Sequence, residues 1–244
     1  MRFVTGAPAG LPLRRFDPRR AAKVMREWVT QRGVVDAGML IGIDFDNTII
    51  TYDAVFVAAA RERGLISEDF SAGKQAVRDF IRTLPEGELA WQRLQGYVYG
   101  QGIGGAAIFD GAAAFLRRCQ REGCPPVIVS HKTEFGHHDA SGVSLRGAAL
   151  GWMRSRGFFD EAGFGIPAEN VYFEDTREKK LARITGLHCT HFIDDLEEVL
   201  DDAAFPDEVE RILFSPAGMH APGAGYVACT SWRDIEEHVF GDRG

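Results

Sequence analysis

Two carboxylates and a hydroxyl group follow one short apolar segment of the sequence at every second position. Residues 39–43 are apolar, and Asp44, Asp46 and Thr48 come directly after them. In open α/β sheets, ligands bind beyond the carboxyl ends of the strands, so a strand here would present these groups to a ligand. Neighbouring carboxylates repel each other unless a cation lies between them, and oxygen ligands favour Mg²⁺. The pattern predicts a magnesium site, the alternative being a capping aspartate in a surface turn.

A second acidic pair and another hydroxyl group end two further apolar segments. Asp194 and Asp195 follow one of them, and this pair again requires a cation if it is buried. The alternative is that Asp195 caps a short helix over residues 196–200. Ser130 follows the apolar residues 126–129, where its hydroxyl would suit a hydrogen bond to a phosphate oxygen. Serine after a strand is also ordinary loop chemistry.

Two lysines lie in the first turn of a predicted helix that begins after Thr176. The helix dipole disfavours cations there, so Lys179 and Lys180 suggest a role at a site, the alternative being plain solvated lysines. Lys180 shares a helical face with Ile184, which should pack inward, whereas Lys179 shares its face with Arg183, which should be solvated. Lys180 is therefore preferred as the site lysine, and Lys179 stays open.

The elements that must position these groups alternate along the chain. Six short apolar segments have the continuous character typical of strands that are buried on both faces of a parallel sheet. They cover residues 39–43, 126–129, 171–173, 191–193, 211–214 and 226–229. Helical patterns lie between them: 112–119 capped by Asp110, 145–153 ended by Gly157, and a third from Thr176 to Gly186. This alternation predicts an α/β fold with a three-layer, Rossmann-like parallel sheet core.

One stretch interrupts the alternation. Residues 52–105 have helical patterns throughout and predict a small helical cap inserted into a core of residues 1–51 and 106–244. Residues 100–105 match GxGxxG but lack the following helix and acidic residue of a dinucleotide site, so we interpret them as a hinge. Within the core, residues 1–35 predict an extended leader and one helix over residues 18–31.

The composition excludes several classes of protein. Lys and Arg number 28 against 35 Asp and Glu, and the net charge of −7 argues against a nucleic-acid partner. No apolar run approaches the roughly 18 residues of a membrane span, and the N-terminus lacks the apolar stretch of a secretory signal. The four cysteines lack disulfide-scaffold or zinc-site spacing, which indicates reduced thiols in a cytoplasm. We expect a cytoplasmic protein that acts on small molecules.

Taken in order, these groups are similar to the motifs of the haloacid dehalogenase superfamily. The signature of that superfamily is DxDx[T/V], then Ser or Thr, then Lys, then an acidic pair. In this sequence it reads Asp44-Phe-Asp46-Asn-Thr48, Ser130, Lys180 (or Lys179) and Asp194-Asp195. The resemblance covers about residues 39–200 and places residues 52–105 where the superfamily carries its first type of cap.

The resemblance implies a role for each matching residue. Asp44 would attack phosphorus to form an aspartyl-phosphate, and Asp46 would protonate the leaving oxygen and then activate water. Asp46 also separates phosphatase-like members from dehalogenases, which lack an acid at this place. Ser130 and Lys180 would hold the phosphoryl group, with Thr48 bracing the phosphate-binding loop.

The resemblance also implies how Mg²⁺ would be bound. Asp44, Asp194 and the backbone carbonyl of Asp46 would coordinate the ion. Asp195 would act through a water molecule or by contacting these ligands. The predicted function is a Mg²⁺-dependent phosphatase of a small phosphorylated metabolite, with a sugar phosphate favoured by analogy. The alternatives are a phosphotransferase or phosphomutase with the same intermediate, and a non-catalytic module that binds a phosphorylated ligand.

A polar, histidine-rich loop follows Ser130 over residues 131–139. His131 and Lys132 directly follow the predicted phosphate-binding residue, and loops at this edge of a sheet often determine specificity. We therefore predict that both residues recognise the substrate. A solvated loop and a second metal site are the alternatives.

Overall fold

The computed structural model describes residues 38–70, 73–139, 141–218, 220 and 225–241. The predicted leader and helix of residues 1–35 lie outside this part. The strands are β1 (Ile41–Ile43), β2 (Ile50–Thr51), β3 (Ala107–Ile108), β4 (Val127–His131), β5 (Val171–Glu174), β6 (His191–Asp194), β7 (Glu210–Phe214) and β8 (Val227–Cys229). Six of them form one sheet in the order β5-β4-β1-β6-β7-β8, in which every neighbouring pair is parallel. Each of the six predicted strands is present.

Helices cover both faces of this sheet. They are α1 (Asp53–Glu62), α2 (Lys74–Arg82), α3 (Gly87–Tyr99), α4 (Ala112–Arg121), α5 (Leu145–Ser155), α6 (Arg177–Leu187), α7 (Glu197–Leu200) and α8 (Trp232–Phe240). Phe115, Trp152 and Trp232 bring α4, α5 and α8 into one apolar core, whereas Leu181 and Val199 bring α6 and α7 into another. The two cores share the sheet, since the alternate side chains of a strand point to opposite faces. The predicted three-layer α/β core is confirmed.

The helix ends agree in part with the sequence patterns. Thr176 caps α6 as predicted, with its hydroxyl 3.3 Å from the backbone nitrogen of Lys179, although the helix continues past Gly186. Asp110 was expected to cap α4, and this prediction is wrong because Gly111 occupies the cap with a φ of 82°. A Cβ at Gly111 would lie 2.9 Å from the Cβ of Trp232, so this close approach requires glycine.

A short antiparallel pair marks where the chain leaves and rejoins the sheet region. Ile50 pairs with Ile108 and Thr51 with Ala107, so β2 and β3 lie side by side. Helices α1, α2 and α3 lie between them in sequence and pack on one another, with Phe56 stacked on Trp91 at a ring distance of 4.9 Å. The glycine-rich segment predicted as a hinge forms a 3-10 helix, Gln101–Gly105.

No helix in the described ranges is both long and apolar enough to cross a bilayer.

Candidate active site

The carboxyl end of β1 places Asp44 at the centre of a buried charged cluster. Asp44 directly follows β1, and its backbone nitrogen donates to the carbonyl of Ile193 on the neighbouring strand β6 at 2.9 Å. The Lys180 ammonium donates to Asp44 Oδ1 at 2.7 Å and to Asp194 Oδ2 at 2.6 Å. All three side chains are buried. One lysine therefore joins two carboxylates from two adjacent strand ends.

Helix α6 presents Lys180, and not Lys179, to this cluster. Lys180 is 1 % exposed and lies on the same buried face as Ile184. Lys179 is exposed and pairs with Asp175 at 3.0 Å on the surface. The geometry thus selects between the two lysines that the sequence left open.

Burial dominates the electrostatics of the acidic groups. It raises the pKa of Asp44 to about 7, because the lowering by Lys180 does not offset burial and the nearby carboxylates of Asp194 and Asp46. Burial also raises the pKa of Asp195 well above its usual range, with Asp194 and Asp44 adding to the effect. Burial by itself would lower the pKa of Lys180, but Asp194 and Asp44 together raise it. The cluster carries more negative charge than its lysine compensates.

These carboxylates fit a divalent cation. Asp44, Asp194 and Asp195 each offer one oxygen, and the three oxygens lie within 4.8 Å of one another. The raised pKa values of Asp44 and Asp195 show that further positive charge would stabilise their ionised forms. Hard oxygen donors of this kind suit Mg²⁺. This group could hold a metal ion, and it shares Asp44 and Asp194 with the predicted ligands.

Asp46 is held through both of its oxygens. Tyr52 donates its hydroxyl to Asp46 Oδ1 at 2.6 Å, and the Lys132 ammonium lies 2.7 Å from Oδ2. Tyr52 is fully buried and meets the ring of Tyr99 edge to face, at a ring distance of 4.8 Å. The Lys132 ammonium lies 5.0 Å from the centre of the same Tyr99 ring. Two aromatic residues and a lysine thus fix the second aspartate of the DxD motif.

Two hydroxyl groups complete the strand-end site. Ser130 lies on β4 and is 1 % exposed, yet its Oγ has no hydrogen-bond partner among the residues that the structure describes. A buried hydroxyl without a partner is costly, so this position suits a ligand oxygen. Thr48 Oγ1 lies 3.4 Å from Asp195 Oδ1. The backbone carbonyl of Thr48 accepts a hydrogen bond from the Trp232 indole at 3.1 Å. Thr48 thus links the segment after β1 to Asp195 and to Trp232.

The loop after Ser130 places its two predicted recognition residues differently. Lys132 is buried beside Asp46, whereas His131 is exposed and its Nε2 lies 2.9 Å from the carbonyl oxygen of Asp175. Arg146 donates to the Lys132 carbonyl at 2.9 Å and also binds the Asp175 carboxylate. Among the described residues, the grouping that fits a metal contains none from this loop, so nothing supports the second metal site.

Sequence reasoning missed residues that the inserted helices and their borders contribute. Lys74 begins α2, and its ammonium donates to Asn47 Oδ1 at 3.1 Å and lies 5.6 Å from the centre of the Tyr99 ring. Burial alone would lower the pKa of Lys74, but Tyr99, Asp195 and other neighbours raise it. The chain has only five lysines among 28 basic residues: Lys23, Lys74, Lys132, Lys179 and Lys180. This rarity was the available signal, since three of the five meet at this site.

A cleft with a volume of about 1340 Å³ lies over these groups. The strand ends contribute one side of the lining and the inserted helices contribute the other. The lining includes Asp44, Asp46, Ser130, Lys132, Lys180 and Asp195 from the sheet side, and Lys74, Gln92, Gln95 and Tyr99 from the helices. Acids, amines and an unpartnered hydroxyl thus face one solvent-connected space.

Comparison with solved structures identifies the fold. A predicted phosphatase from Clostridium acetobutylicum matches with a TM-score of 0.54 at 14% identity, over 83% of this chain and 98% of that one. A haloacid dehalogenase-like hydrolase from Streptococcus pneumoniae matches with a TM-score of 0.53 at 13% identity, over 82% and 98%. The chain has the haloacid dehalogenase fold. No protein-family model and no curated protein matches the sequence.

An L-2-haloacid dehalogenase shares the haloacid dehalogenase fold with this chain as well. It matches with a TM-score of 0.51 at 14% identity, over 83% of this chain and 98% of that one. Structures described as a phosphatase and as a dehalogenase are thus similar to this chain to the same degree. Because one fold serves several reactions, the residues of the site must decide between them.

Proposed function

We propose that this protein is a cytoplasmic, Mg²⁺-dependent phosphatase that hydrolyses a small phosphomonoester. The observation that carries the proposal is the position of Asp46, whose carboxylate faces the cleft two residues after Asp44. A halide leaves without a proton, whereas the alkoxide released from a phosphomonoester must be protonated. A second carboxylate beside the nucleophile therefore has a use in phosphate chemistry that dehalogenation does not require.

The arrangement supports a reaction in two steps. The Asp44 carboxylate attacks phosphorus while Asp46 donates a proton to the ester oxygen, and an aspartyl-phosphate and an alcohol result. Asp46 then takes a proton from water as the water attacks phosphorus, which releases phosphate and restores Asp44. The Ser130 hydroxyl and the ammonium groups of Lys180 and Lys132 would bind the phosphoryl oxygens.

The metal would be held by the acidic cluster. When bound by Asp44, Asp194 and Asp195, Mg²⁺ would neutralise the charge of the phosphoryl oxygens. The close approach of the three carboxylate oxygens and the raised pKa values of Asp44 and Asp195 support this assignment.

We further propose that residues 52–105 act as a cap. The antiparallel pairing of β2 and β3 joins this segment to the core at two adjacent points, and its residues Lys74 and Tyr99 reach the cleft. A cap that closes over the substrate would exclude water from the first step and contact the leaving group. The polar lining of α3, through Gln92 and Gln95, suits a hydroxyl-rich leaving group such as a sugar.

The negative net charge and the free thiols support the remaining parts of the proposal. All four cysteines are unpaired and buried, as expected in a reducing cytoplasm. The net charge of −7 disfavours nucleic acids and leaves small phosphorylated metabolites as substrates.

A substrate screen tests this function directly. The purified 244-residue chain is incubated with Mg²⁺ and with a panel of phosphorylated metabolites and 2-chloroalkanoic acids, and free phosphate and chloride are measured. We expect phosphate release, which Asp44→Asn should lower more than ~100-fold and the exposed control Asp207→Asn, which lies outside the cleft, should leave unchanged. Chloride release, or no phosphate release from any compound, would contradict the proposal. Transfer of phosphate to a second metabolite would indicate a phosphotransferase.

A further inference from the structure

We infer that Tyr52 positions Asp46 for proton transfer, by fixing Oδ1 and leaving Oδ2 to carry the proton. The inference rests on the proposed phosphatase function and extends it to a residue outside the four motifs. Tyr52 does not line the cleft, so it is a positioning residue that acts through Asp46.

The two oxygens of Asp46 have different surroundings. Oδ1 accepts from Tyr52, whose side chain is fully buried and which is not among the described residues that line the cleft. Oδ2 faces Lys132, which does line the cleft and which an arriving phosphoryl group would attract. A substrate can therefore draw the partner of Oδ2 away but cannot reach the partner of Oδ1. Only Oδ2 becomes free for a proton.

The ring of Tyr52 is fixed by its neighbours. Tyr99 on α3 contacts it edge to face, and Phe56 on α1 contacts Tyr99 in the same manner at 5.7 Å. Tyr52 directly follows β2, whose partner β3 returns the chain to the core. The donor of Oδ1 thus directly follows a paired strand and lies among packed rings. This rigidity keeps the Asp46 carboxylate in one orientation while Lys132 moves.

The proton balance follows from this assignment. In the first step, the proton on Oδ2 passes to the ester oxygen as its bond to phosphorus breaks and the bond from Asp44 to phosphorus forms. In the second step, water gives one proton to Oδ2 as its oxygen bonds to phosphorus and the bond to Asp44 breaks. The Tyr52 proton remains on its own oxygen throughout.

Kinetics on two kinds of leaving group test this role. Tyr52→Phe removes one buried oxygen and keeps the ring. For the best metabolite substrate of the screen, we expect kcat to fall ~10- to 100-fold with KM changed less than ~2-fold. For p-nitrophenyl phosphate, whose leaving group needs no proton, kcat/KM should change less than ~3-fold, because this ratio reports the first step and not the later attack of water. Tyr52→Phe added to Asp46→Asn should cause no further loss, because Tyr52 acts only through Asp46.

Tyr97→Phe is the matched control. Tyr97 is a half-buried tyrosine of α3, and the guanidinium carbon of Arg63 lies 3.8 Å from the centre of its ring. Tyr97 is not part of the cleft lining. Loss of the Tyr97 hydroxyl should leave kcat and KM unchanged for both substrates. An equal loss of kcat/KM on both kinds of leaving group for Tyr52→Phe, or a full further loss on the Asp46→Asn background, would overturn the inference.

A measurement without turnover separates this inference from the proposed function. Melting temperatures in EDTA are compared for wild type, Tyr52→Phe, Asp46→Ala and the double variant. We expect Tyr52→Phe to lower the melting temperature of the wild type by more than that of Asp46→Ala, because the contact is already lost in the latter. Additive shifts would show that Tyr52 does not hold Asp46. Absence of phosphatase activity in the wild type, with non-additive shifts, would instead contradict the proposed function alone.

Discussion

Lys180 and Asp44 lie 136 residues apart in the sequence, and the Lys180 ammonium is 2.7 Å from Asp44 Oδ1. The same ammonium lies 2.6 Å from Asp194 Oδ2, so a lysine of α6 joins residues at the ends of β1 and β6. Both carboxylates are buried, and removing one partner from a buried ionic cluster leaves uncompensated charge. This cluster therefore contributes to folding as well as to the chemistry of the site.

Replacing Lys180 with methionine should destabilise the metal-free protein by about 3 kcal/mol, because Asp44 and Asp194 lose their shared cation. Mg²⁺ should recover part of this loss, since a dication would again compensate the two carboxylates. Urea denaturation in EDTA and in Mg²⁺ measures both effects. Lys179→Met is the matched control and should change stability by less than ~0.5 kcal/mol, because its pair with Asp175 is exposed. Equal effects of the two substitutions would contradict the assignment of Lys180.

Chelation should abolish phosphate release, and added Mg²⁺ should restore it. Ca²⁺ should substitute poorly, because its larger and looser coordination shell would misplace Asp44. Asp194→Asn should raise the Mg²⁺ concentration needed for half-maximal activity by more than ~10-fold, since it removes a buried anionic ligand. The exposed Asp207→Asn serves as the control. Full activity in chelator would exclude a metal-dependent mechanism.

The positions of Lys132 and His131 lead to two different expectations. Lys132→Ala should lower kcat/KM for metabolites and for aryl phosphates alike, by roughly 2 kcal/mol of transition-state binding, because its ammonium contacts Asp46. His131→Ala should change kcat/KM less than ~3-fold for either substrate, because its Nε2 is bonded to a backbone carbonyl at the rim. Steady-state kinetics on both substrates checks the pair. If Lys132→Ala instead lowers kcat/KM for metabolites alone, Lys132 recognises the substrate, as predicted from the sequence.

Acid should weaken the fold through His191. Burial lowers the pKa of His191 below 6.5, more than Glu210 on β7 raises it, and His238 on α8 lowers it further. The unfolded chain therefore binds the proton more readily, so this contribution to stability is present above pH 6.5 and is lost as the pH falls through the lowered value. Urea midpoints at pH 7.5 and pH 5 should differ more for wild type than for His191→Gln. If the midpoint shifts between the two pH values by the same amount in wild type and in His191→Gln, other groups cause the acid sensitivity.

The sequence was sufficient for those features that depend on local patterns. Acids at alternate positions after an apolar segment located Asp44 and Asp46, and helical periodicity favoured Lys180 over Lys179. The site contacts of Tyr52 and Lys74 depend instead on how α1, α2 and α3 pack together, which no local pattern records. The prediction of Asp110 as the N-cap residue of α4 was wrong for a related reason. Glycine is required at position 111 by the close approach of Trp232, which lies more than 100 residues later.

The use of lysine in this chain has a consequence for chemical reactivity. Arginine keeps its charge and is inert to acylating reagents, whereas lysine amines are the targets of acetylation. Three of the five lysines, Lys74, Lys132 and Lys180, meet at one cleft, and the other 23 basic residues counted in the net charge are arginines. Acylation requires the neutral amine, and although burial alone would lower the pKa of Lys74 and Lys180, their neighbours raise it, so both amines stay protonated. Among the lysines that the structure describes, non-enzymatic acylation should therefore modify the exposed Lys179 first and leave the three cleft lysines intact.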